Sequence, residues 1–343
     1  MSLKIMGKNP TGKHLEHLKQ SPNYKKAGFE NISETPVMAK EVSFLKTARD
    51  YYNKPKTTAP GFTLPSVKTD LKNITSAEPF IVWFGHSSYF IRISNKNFLI
   101  DPVFSGNAAP VSCMVNAFAG SNTYTTVDFP PIDFLIITHD HYDHMDYKTI
   151  VKLKPQINKV CCSLGVGSHL QYWGFDEKII TEIDWWQTEK IDANITLTAT
   201  AARHFSGRGV RRGKTLWSSF ILKTKEYNLF LGGDSGYDTH FKKIGENYGP
   251  FDIAVLEAGQ YNASWPHIHM MPEETVQAAV DLKAKILLPV HWGKFVLALH
   301  PWDEPVNRVL AKAAELNVKV TTPMIGEPVV LNVSYPNKQW WVN

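Results

Sequence analysis

The stretch Phe134-Leu-Ile-Ile-Thr-His-Asp-His-Tyr-Asp-His144 decides the fold, because an apolar run passes directly into a cluster of ionisable side chains. The apolar half predicts a buried strand, so the cluster begins where a strand ends, a usual place for binding residues. Imidazole and carboxylate are ligands for zinc and similar divalent ions. On a compact loop, this spacing can direct His139 and His141 at one ion and Asp143 and His144 at a second. A solvated polar turn is the alternative, and so dense a group of the scarce residue histidine argues against it.

Three later apolar runs each end in one further ligand type, usually with glycine nearby to let the backbone turn sharply. These are residues 195–200 before His204, residues 228–233 before Asp234, and residues 285–290 before His291. Ligands that arrive one per strand end predict a sheet whose edge is lined with metal-binding groups. Taken singly, His204 or His291 is more typical of a structural histidine. Together with the loop at 139–144, they indicate a metal centre.

This ordered set of histidines and aspartates resembles the metallo-β-lactamase superfamily. Further motifs resemble the branch that contains N-acylphosphatidylethanolamine-hydrolysing phospholipase D, and related bacterial hydrolases, some of them lactonases, share parts of the pattern. The motifs are Trp83-Phe-Gly-His-Ser-Ser88, Leu99-Ile-Asp-Pro-Val-Phe-Ser105, Arg203-His-Phe-Ser-Gly-Arg208, Thr215-Leu-Trp217 and Pro289-Val-His-Trp-Gly293. The resemblance extends over roughly residues 80–308 and implies an α/β fold, a four-layered αββα sandwich. The alternation of strands with helices agrees with that expectation.

The resemblance also implies how the ligands divide between two divalent metal ions. One ion is expected at His139, His141 and His204, the other at Asp143, His144 and His291, with Asp234 bridging them. The absence of thiolate ligands favours Zn²⁺ and leaves iron or manganese open. Two ions about 3.5–4 Å apart can share a hydroxide as the nucleophile.

The activity that the resemblance implies is a zinc-dependent phosphodiesterase of the phospholipase D type, which cleaves N-acylphosphatidylethanolamine-like phospholipids by attack of that hydroxide on phosphorus. Asp143 and Asp234 are then catalytic as well as metal-binding. Tyr142 is expected to reach the substrate phosphate through its hydroxyl, and His269, favoured over His267, to contact the substrate or protonate the leaving group. A lactonase or a hydrolase of a small soluble phosphodiester is the alternative. A non-catalytic metal-binding protein is a second alternative, against which the intact ligand set argues.

Weaker interpretations attach to residues beside these motifs. Asp101 and His86 are candidates for orienting a ligating histidine, although a turn cap and packing beside Trp83 explain them nearly as well. Arg208, Arg211 and Arg212 suggest a phosphate-binding patch, with a solvated loop as the alternative.

Residues 1–75 are predicted to form an irregular basic arm, and residues 76–343 the catalytic domain. Residues 1–72 carry a net charge of +7, whereas the remainder carries −2. The arm contains scattered prolines and one predicted helix around residues 39–52. It is interpreted either as a solvated surface or as a contact for anionic lipid. The lack of a binding module argues against nucleic acid, and a homodimer stays open.

The 343 residues are 43% hydrophobic and 20% charged, a composition typical of a soluble globular protein. We find no apolar run long enough to span a bilayer, no signal peptide and no disulfide framework among three cysteines. The start Met1-Ser2-Leu3 is typical of an added cloning sequence, which would replace a native targeting segment. The compartment is therefore left open between the cytoplasm and a membrane periphery.

Local patterns predict two further elements. Residues 80–84, 89–94 and 98–100 form strands, the last two joined as a hairpin through Ser94-Asn-Lys-Asn97. A helix begins at Met271-Pro272, with a buried face at Val276, Ala279, Val280 and Ala284.

Overall fold

Two β-sheets form the centre of the protein in a computed structural model that describes residues 3–39, 42–74, 76, 78–111 and 113–342. The first sheet has the spatial order β13-β1-β2-β3-β4-β5-β6, and the second has the order β12-β11-β10-β9-β8-β7. The strands of the first sheet are β1 (Phe80–Trp83), β2 (Tyr89–Ile93), β3 (Lys96–Ile100), β4 (Ile132–Ile137), β5 (Ile157–Ser163), β6 (Ile180–Ile183) and β13 (Pro328–Val330). Those of the second sheet are β7 (Thr188–Asp192), β8 (Ile195–Thr200), β9 (Ser219–Lys223), β10 (Asn228–Leu231), β11 (Ile253–Glu257) and β12 (Leu287–Val290).

Helices cover the outer face of each sheet. In chain order, the helices are α1 (Gly12–Leu18), α2 (Phe44–Tyr52), α3 (Tyr147–Leu153), α4 (Gly167–Tyr172), α5 (His240–Asn247), α6 (Pro272–Asp281) and α7 (Glu304–Leu316), and those from α3 onward form the outer layers. Ile150 of α3 and Leu170 of α4 pack in one apolar cluster with the first sheet, and Val276 of α6 packs in another with the second. The four-layered αββα sandwich predicted from the resemblance is therefore confirmed. Within the described residues, no helix has both the length and the apolar composition needed to cross a bilayer.

Strand β4, which leads to the ligand loop, is apolar from Phe134 to Ile137 because both of its faces are buried. In β4, Phe134 and Ile136 belong to the core between the sheets, while Leu135 and Ile137 pack under the helices of the first sheet. Successive side chains of a strand point to opposite faces, so a strand between two apolar layers needs apolar residues at every position. This is why a continuous apolar run precedes the ligand loop.

The pairing directions of the strands bring the ligand-bearing ends together. Strand β10 pairs parallel with β11, and β11 pairs parallel with β12, so three carboxyl ends reach the same edge of the second sheet. In the first sheet, β3 and β4 are also parallel. Loops that follow parallel strands meet at one edge, and this edge is where the predicted ligands converge.

The two local predictions fare differently. Strands β2 and β3 form the predicted hairpin, whose turn residues Ser94 and Asn95 both have positive φ. Helix α6 begins at Pro272 as predicted, and Val276 and Ala279 are buried. Val280, however, is 43% exposed, and Ala284 follows the end of the helix. Val280 is therefore wrong as a buried position, because it lies just beyond the buried arc of the helix at 100° per residue. Ala284 is partly buried and packs against the apolar cluster of the second sheet, although it lies outside the helix.

The predicted arm contains α1, α2 and short 3₁₀ turns at Leu3–Met6 and Lys56–Thr58, and it is otherwise irregular. The helix predicted around 39–52 is α2, which begins at residue 44; residues 40 and 41 lie outside the described part of the chain. Leu18 and Phe29 are buried in one cluster with Trp185 and Trp217. This part of the arm therefore packs against the catalytic sandwich, and the boundary at residue 75 stays a prediction.

Candidate metal centre

Three imidazoles and one carboxylate form the first ligand group, and their ligand atoms all lie within 4.8 Å of one another: His139, His141, His204 and Asp234. Nδ1 of His141 lies 3.0 Å from Nε2 of His139 and 3.2 Å from Nε2 of His204. Oδ2 of Asp234 lies 3.8 Å from Nε2 of His139 and 3.7 Å from Nε2 of His204. Ligands about 2.0–2.2 Å from one tetrahedral ion lie roughly 3.3–3.6 Å apart, so this group is close to the size that a zinc ion requires.

A second group consists of His86, Asp143, His144 and His291, again within 4.8 Å. Oδ2 of Asp143 lies 3.5 Å from Nε2 of His144 and 3.4 Å from Nε2 of His291. It lies 2.9 Å from Nε2 of His86. His86, which the sequence suggests only as an orienting residue, is thus as close to the carboxylate as the predicted ligands are.

Asp234 faces both groups. Its Oδ1 lies 3.1 Å from Nε2 of His144, and its Oδ2 lies 3.3 Å from Nε2 of His291 while also facing His139 and His204. Since the side chain is only 3% exposed, both oxygens are committed to imidazoles rather than to solvent. This placement is the one that the predicted bridging role needs.

The orientation of the imidazoles fits a divalent cation better than a hydrogen-bonded cluster. Nε2 of His144 is buried and has no hydrogen-bond partner, although it lies 3.1 Å from Oδ1 of Asp234. Buried polar atoms are nearly always satisfied, and an orphaned one calls for an explanation. Imidazole nitrogens and carboxylate oxygens gathered around one volume, with a buried nitrogen left unpartnered, are what ligands of a shared cation would show.

The electrostatics of the two groups favour the same conclusion. Burial lowers the pKa of His139 and of His204 well below the ordinary value, which keeps both imidazoles in the neutral, ligating form. Burial opposes ionisation of Asp234, but the imidazoles of His144 and His291 outweigh it and hold the pKa of that carboxyl well below its usual range. Burial likewise lowers the pKa of His291, whereas Asp234, Asp143 and Glu257 raise it, to about 10 on balance. The buried carboxylates thus attract positive charge to the site.

In His144, His204 and His291, the ring nitrogen that faces away from the centre is held by a neighbour. Nδ1 of His144 lies 2.8 Å from Oδ2 of Asp101, which also accepts a hydrogen bond from the Thr138 hydroxyl. Nδ1 of His204 lies 2.8 Å from the carbonyl oxygen of Ile268, and Nδ1 of His291 lies 3.2 Å from that of Gly259. Such outer contacts fix ring orientation and tautomer in metal sites. Asp101 therefore contacts His144, a predicted ligand, which agrees with one of its two sequence interpretations.

Glu257 is a site residue that the sequence analysis missed. It ends β11, is 1% exposed, and forms a third group with Asp234, His269 and His291. Its Oε2 lies 2.7 Å from Nδ1 of His269. The signal was present, because Ile253-Ala-Val-Leu-Glu257 is another apolar run that ends in a ligand type.

His269 lies beside both predicted ligand groups, with its ring centroid 5.1 Å from that of His204 and 5.1 Å from that of His291. Its side chain is 11% exposed, so it is partly accessible from outside. His267 belongs to none of the three ligand groups found among the described residues. The preference for His269 over His267 agrees with this arrangement, and its contact with substrate stays a prediction.

Two residues predicted to meet phosphate are engaged elsewhere. The hydroxyl of Tyr142 donates to the carbonyl oxygen of Arg208 at 2.6 Å, and the Arg208 guanidinium stacks 4.1 Å above the tyrosine ring. Arg208 is buried and donates to the carbonyl oxygens of Ile5, Asp140 and Met145. The interpretation of Arg208 as part of a phosphate patch is wrong, because its donors already stabilise the ligand loop. Arg211 and Arg212 are exposed.

Asn31 of the predicted arm binds the backbone of a predicted metal ligand. Its Nδ2 donates to the carbonyl oxygen of His204 at 2.7 Å, and its Oδ1 accepts from the His204 amide at 3.1 Å. Nε1 of Trp217 donates to the same Oδ1 at 3.1 Å. The arm is therefore attached directly to the metal-binding loop.

A cavity of about 390 Å³ opens beside His204, between the arm and the loop that follows β8. Its walls include the apolar side chains Phe29, Val37, Phe205 and Trp217, the cation Arg212, and the carboxylates Glu30 and Glu34. The Arg212 guanidinium lies 4.8 Å above the Phe205 ring. The cavity beside His204, a predicted metal ligand, therefore combines apolar surface with one cation and two carboxylates.

Comparisons with known proteins agree with this centre. The Beta-lactamase superfamily domain matches residues 96–292. An uncharacterized protein of Mycobacterium tuberculosis is 36% identical over 327 residues, which cover 94% of this chain and 88% of that protein. N-acyl-phosphatidylethanolamine-hydrolyzing phospholipase D 1 of Caenorhabditis elegans is 32% identical over 271 residues, 72% of this chain and 74% of the relative. A solved metallo hydrolase of the archaeon Ignicoccus hospitalis matches 75% of this chain and 100% of its own, with a TM-score of 0.57 and 20% identity, a likeness of fold.

Proposed function

The chain belongs to the beta-lactamase superfamily and is a metal-dependent hydrolase, and on this premise we propose that it is a dinuclear zinc phosphodiesterase of the phospholipase D type. The proposed substrates are N-acylphosphatidylethanolamine-like phospholipids. The observation that carries the proposal is the cavity that opens at His204, whose walls combine apolar side chains with Arg212, Glu30 and Glu34, in a chain 32% identical to an enzyme of that name.

The ligand groups suit two zinc ions. His139, His141 and His204 would hold one ion, and Asp143, His144 and His291 the other, with Asp234 facing both. His86 is close enough to Asp143 either to join the second set or to orient that carboxylate. When bound, the ions would supply Lewis acidity and lower the pKa of the attacking water.

His269 is the residue placed to move a proton. Hydrolysis forms a bond from the water oxygen to phosphorus and breaks the bond from phosphorus to the ethanolamine oxygen, which must receive a proton as it leaves. Glu257 accepts the Nδ1 hydrogen of His269 at 2.7 Å and stabilises the imidazolium, so that Nε2 can donate that proton. The products are phosphatidic acid and an N-acylethanolamine.

The cavity beside His204 supports a lipid substrate. Val37 and Phe205, which are only partly buried, offer apolar surface for acyl chains, and Arg212 offers a cation for the phosphate. Glu30 and Glu34 on the same walls would repel a second negative charge, which favours a phosphodiester with one charge over a phosphomonoester with two.

The test is a panel of substrates given to zinc-loaded full-length protein: N-acylphosphatidylethanolamine in mixed micelles, a small soluble phosphodiester, an acyl-homoserine lactone and a β-lactam. We expect the phospholipid to be cleaved fastest, with oxygen from labelled water found in phosphatidic acid. Rapid lactone opening without phospholipid cleavage would replace this proposal with the lactonase alternative. Preference for the small phosphodiester would exclude the lipid substrate.

A further inference from the structure

Two loops from distant parts of the chain join into one surface, here called the basic patch, which consists of the turn at residues 25–28 and the loop at residues 209–214. The amide of Phe29 donates to the carbonyl oxygen of Gly213 at 2.8 Å, and Nζ of Lys214 donates to the carbonyl oxygen of Ala27. A Cβ on Gly28 would lie only 2.3 Å from the Gly213 oxygen, so the two backbones approach as closely as glycine allows. The patch is therefore a fixed part of the fold.

The patch is cationic and its charges are not neutralised. Lys25, Lys26, Arg211 and Arg212 are exposed and Lys214 is half-buried. Within the described residues, none of these five side chains forms an ion pair with a carboxylate. Glu30 and Glu34 lie nearby on the cavity wall. The excess of positive charge suits an anionic surface.

Apolar side chains project beside this charge. Val210 lies in the loop at residues 209–214 and is fully exposed, with a relative exposure of 103%. Arg211 and Arg212 follow it directly. Ile32, on the arm next to the cavity, is 59% exposed. Exposed aliphatic side chains flanked by basic residues are typical of segments that enter the boundary between lipid head groups and acyl chains. Binding to nucleic acid would use the cations but would gain nothing from a free valine.

The patch borders the candidate active site. Arg212 and Gly213 belong to the patch and also line the cavity that opens at His204. A surface bound to the patch would thus lie at the mouth of that cavity. We propose that the basic patch docks the protein on anionic lipid bilayers, with Val210 inserted and the cavity facing the membrane. Docking on the bilayer does not depend on the proposed phospholipase function. Delivery of substrate from the bilayer does rest on that function.

The test is cosedimentation of the full-length protein with phosphatidylcholine vesicles, with and without phosphatidylglycerol. Each basic residue near an anionic surface contributes about fivefold in affinity, so K26Q/R211Q should bind phosphatidylglycerol vesicles roughly 25-fold more weakly than the natural chain. Binding should also weaken as salt rises. V210D should reduce binding further than V210A. The matched control is K223Q/K225Q, which removes two exposed lysines at the end of β9 opposite to the Ser219 end.

This measurement needs no turnover, so the docking proposal can fail while the proposed function holds. Equally, the proposed function can fail while the protein still binds anionic vesicles. Equal binding of K26Q/R211Q and K223Q/K225Q would overturn the proposal, as would equal binding to neutral and anionic vesicles. Binding to a single-stranded oligonucleotide that K26Q/R211Q weakens, without any binding to vesicles at matched phosphate concentration, would assign the patch to nucleic acid instead. Equal thermal melting of all variants would show that the comparison is between folded proteins.

Discussion

His269 depends on Glu257, a buried carboxylate outside the two predicted ligand sets. Glu257→Gln preserves the shape of the side chain and leaves one oxygen for the amides of Ser235 and Met270. It removes the charge that stabilises a protonated His269. Because general acid catalysis typically contributes 10²–10⁴-fold, we expect kcat to fall by about 10²-fold or more while the metal content stays unchanged.

The measurement is kcat and metal content of Glu257→Gln beside Glu273→Gln. Glu273 is a suitable control because it pairs with Arg308 on the outer helices, at 2.7 Å and about 41% side-chain exposure. An unchanged kcat in Glu257→Gln would remove His269 from the proton transfer. Loss of metal would instead make Glu257 a support for His291, whose Nδ1 lies 3.3 Å from Glu257.

Residues close in sequence were the easiest to assign. The loop at residues 139–144 indicates metal binding through its local composition. Single ligand candidates such as His204 are predicted because they follow a strand. Glu257 also follows this strand-end pattern, but the family resemblance implies a complete ligand set that does not include it. Arg208 was misassigned because a loop sequence does not reveal whether a guanidinium is buried against carbonyl oxygens or exposed to solvent.

At the scale of the elements, the arm and the ligand loop after β8 act as one unit. Asn31 joins them through two hydrogen bonds to the backbone of His204 and one from Trp217. Asn31→Ala should weaken metal binding by roughly 10–100-fold, the usual effect of removing an outer-shell partner of a ligand. The measurement is competition for zinc against a chelator of known affinity.

Asn23→Ala is the matched control, because Asn23 binds Asp184 from the arm and does not contact His204 in the hydrogen bonds described. Equal zinc affinity in the two variants would show that Asn31 stabilises the arm without positioning the ligand.

No sequence pattern could reveal the contact between Asn31 and His204, since these residues are 173 positions apart. The strands themselves were predictable from apolar runs, but their order in the sheets depends on pairing that leaves no local signal.

At the scale of the whole molecule, the sandwich brings ligands from both sheets to one edge, and the arm completes the cavity beside them. The positive charge of residues 1–72 predicts a solvated or lipid-binding surface, and the structure also buries Leu18 and Phe29 of this arm in one cluster with Trp217. Charge patterning describes the exposed side of a segment only. The apolar residues that attach the arm are too few to form a recognisable periodic pattern.

The most direct test of the dinuclear centre is the metal content of the purified full-length chain, measured by elemental analysis after supplementation with zinc, iron or manganese. We expect two ions per chain. Asp234→Asn should lower that number and the activity more than substitution of any single histidine, because this carboxylate faces both ligand groups. One ion or none in the natural chain, or near-normal activity in Asp234→Asn, would contradict a centre of two ions bridged by Asp234.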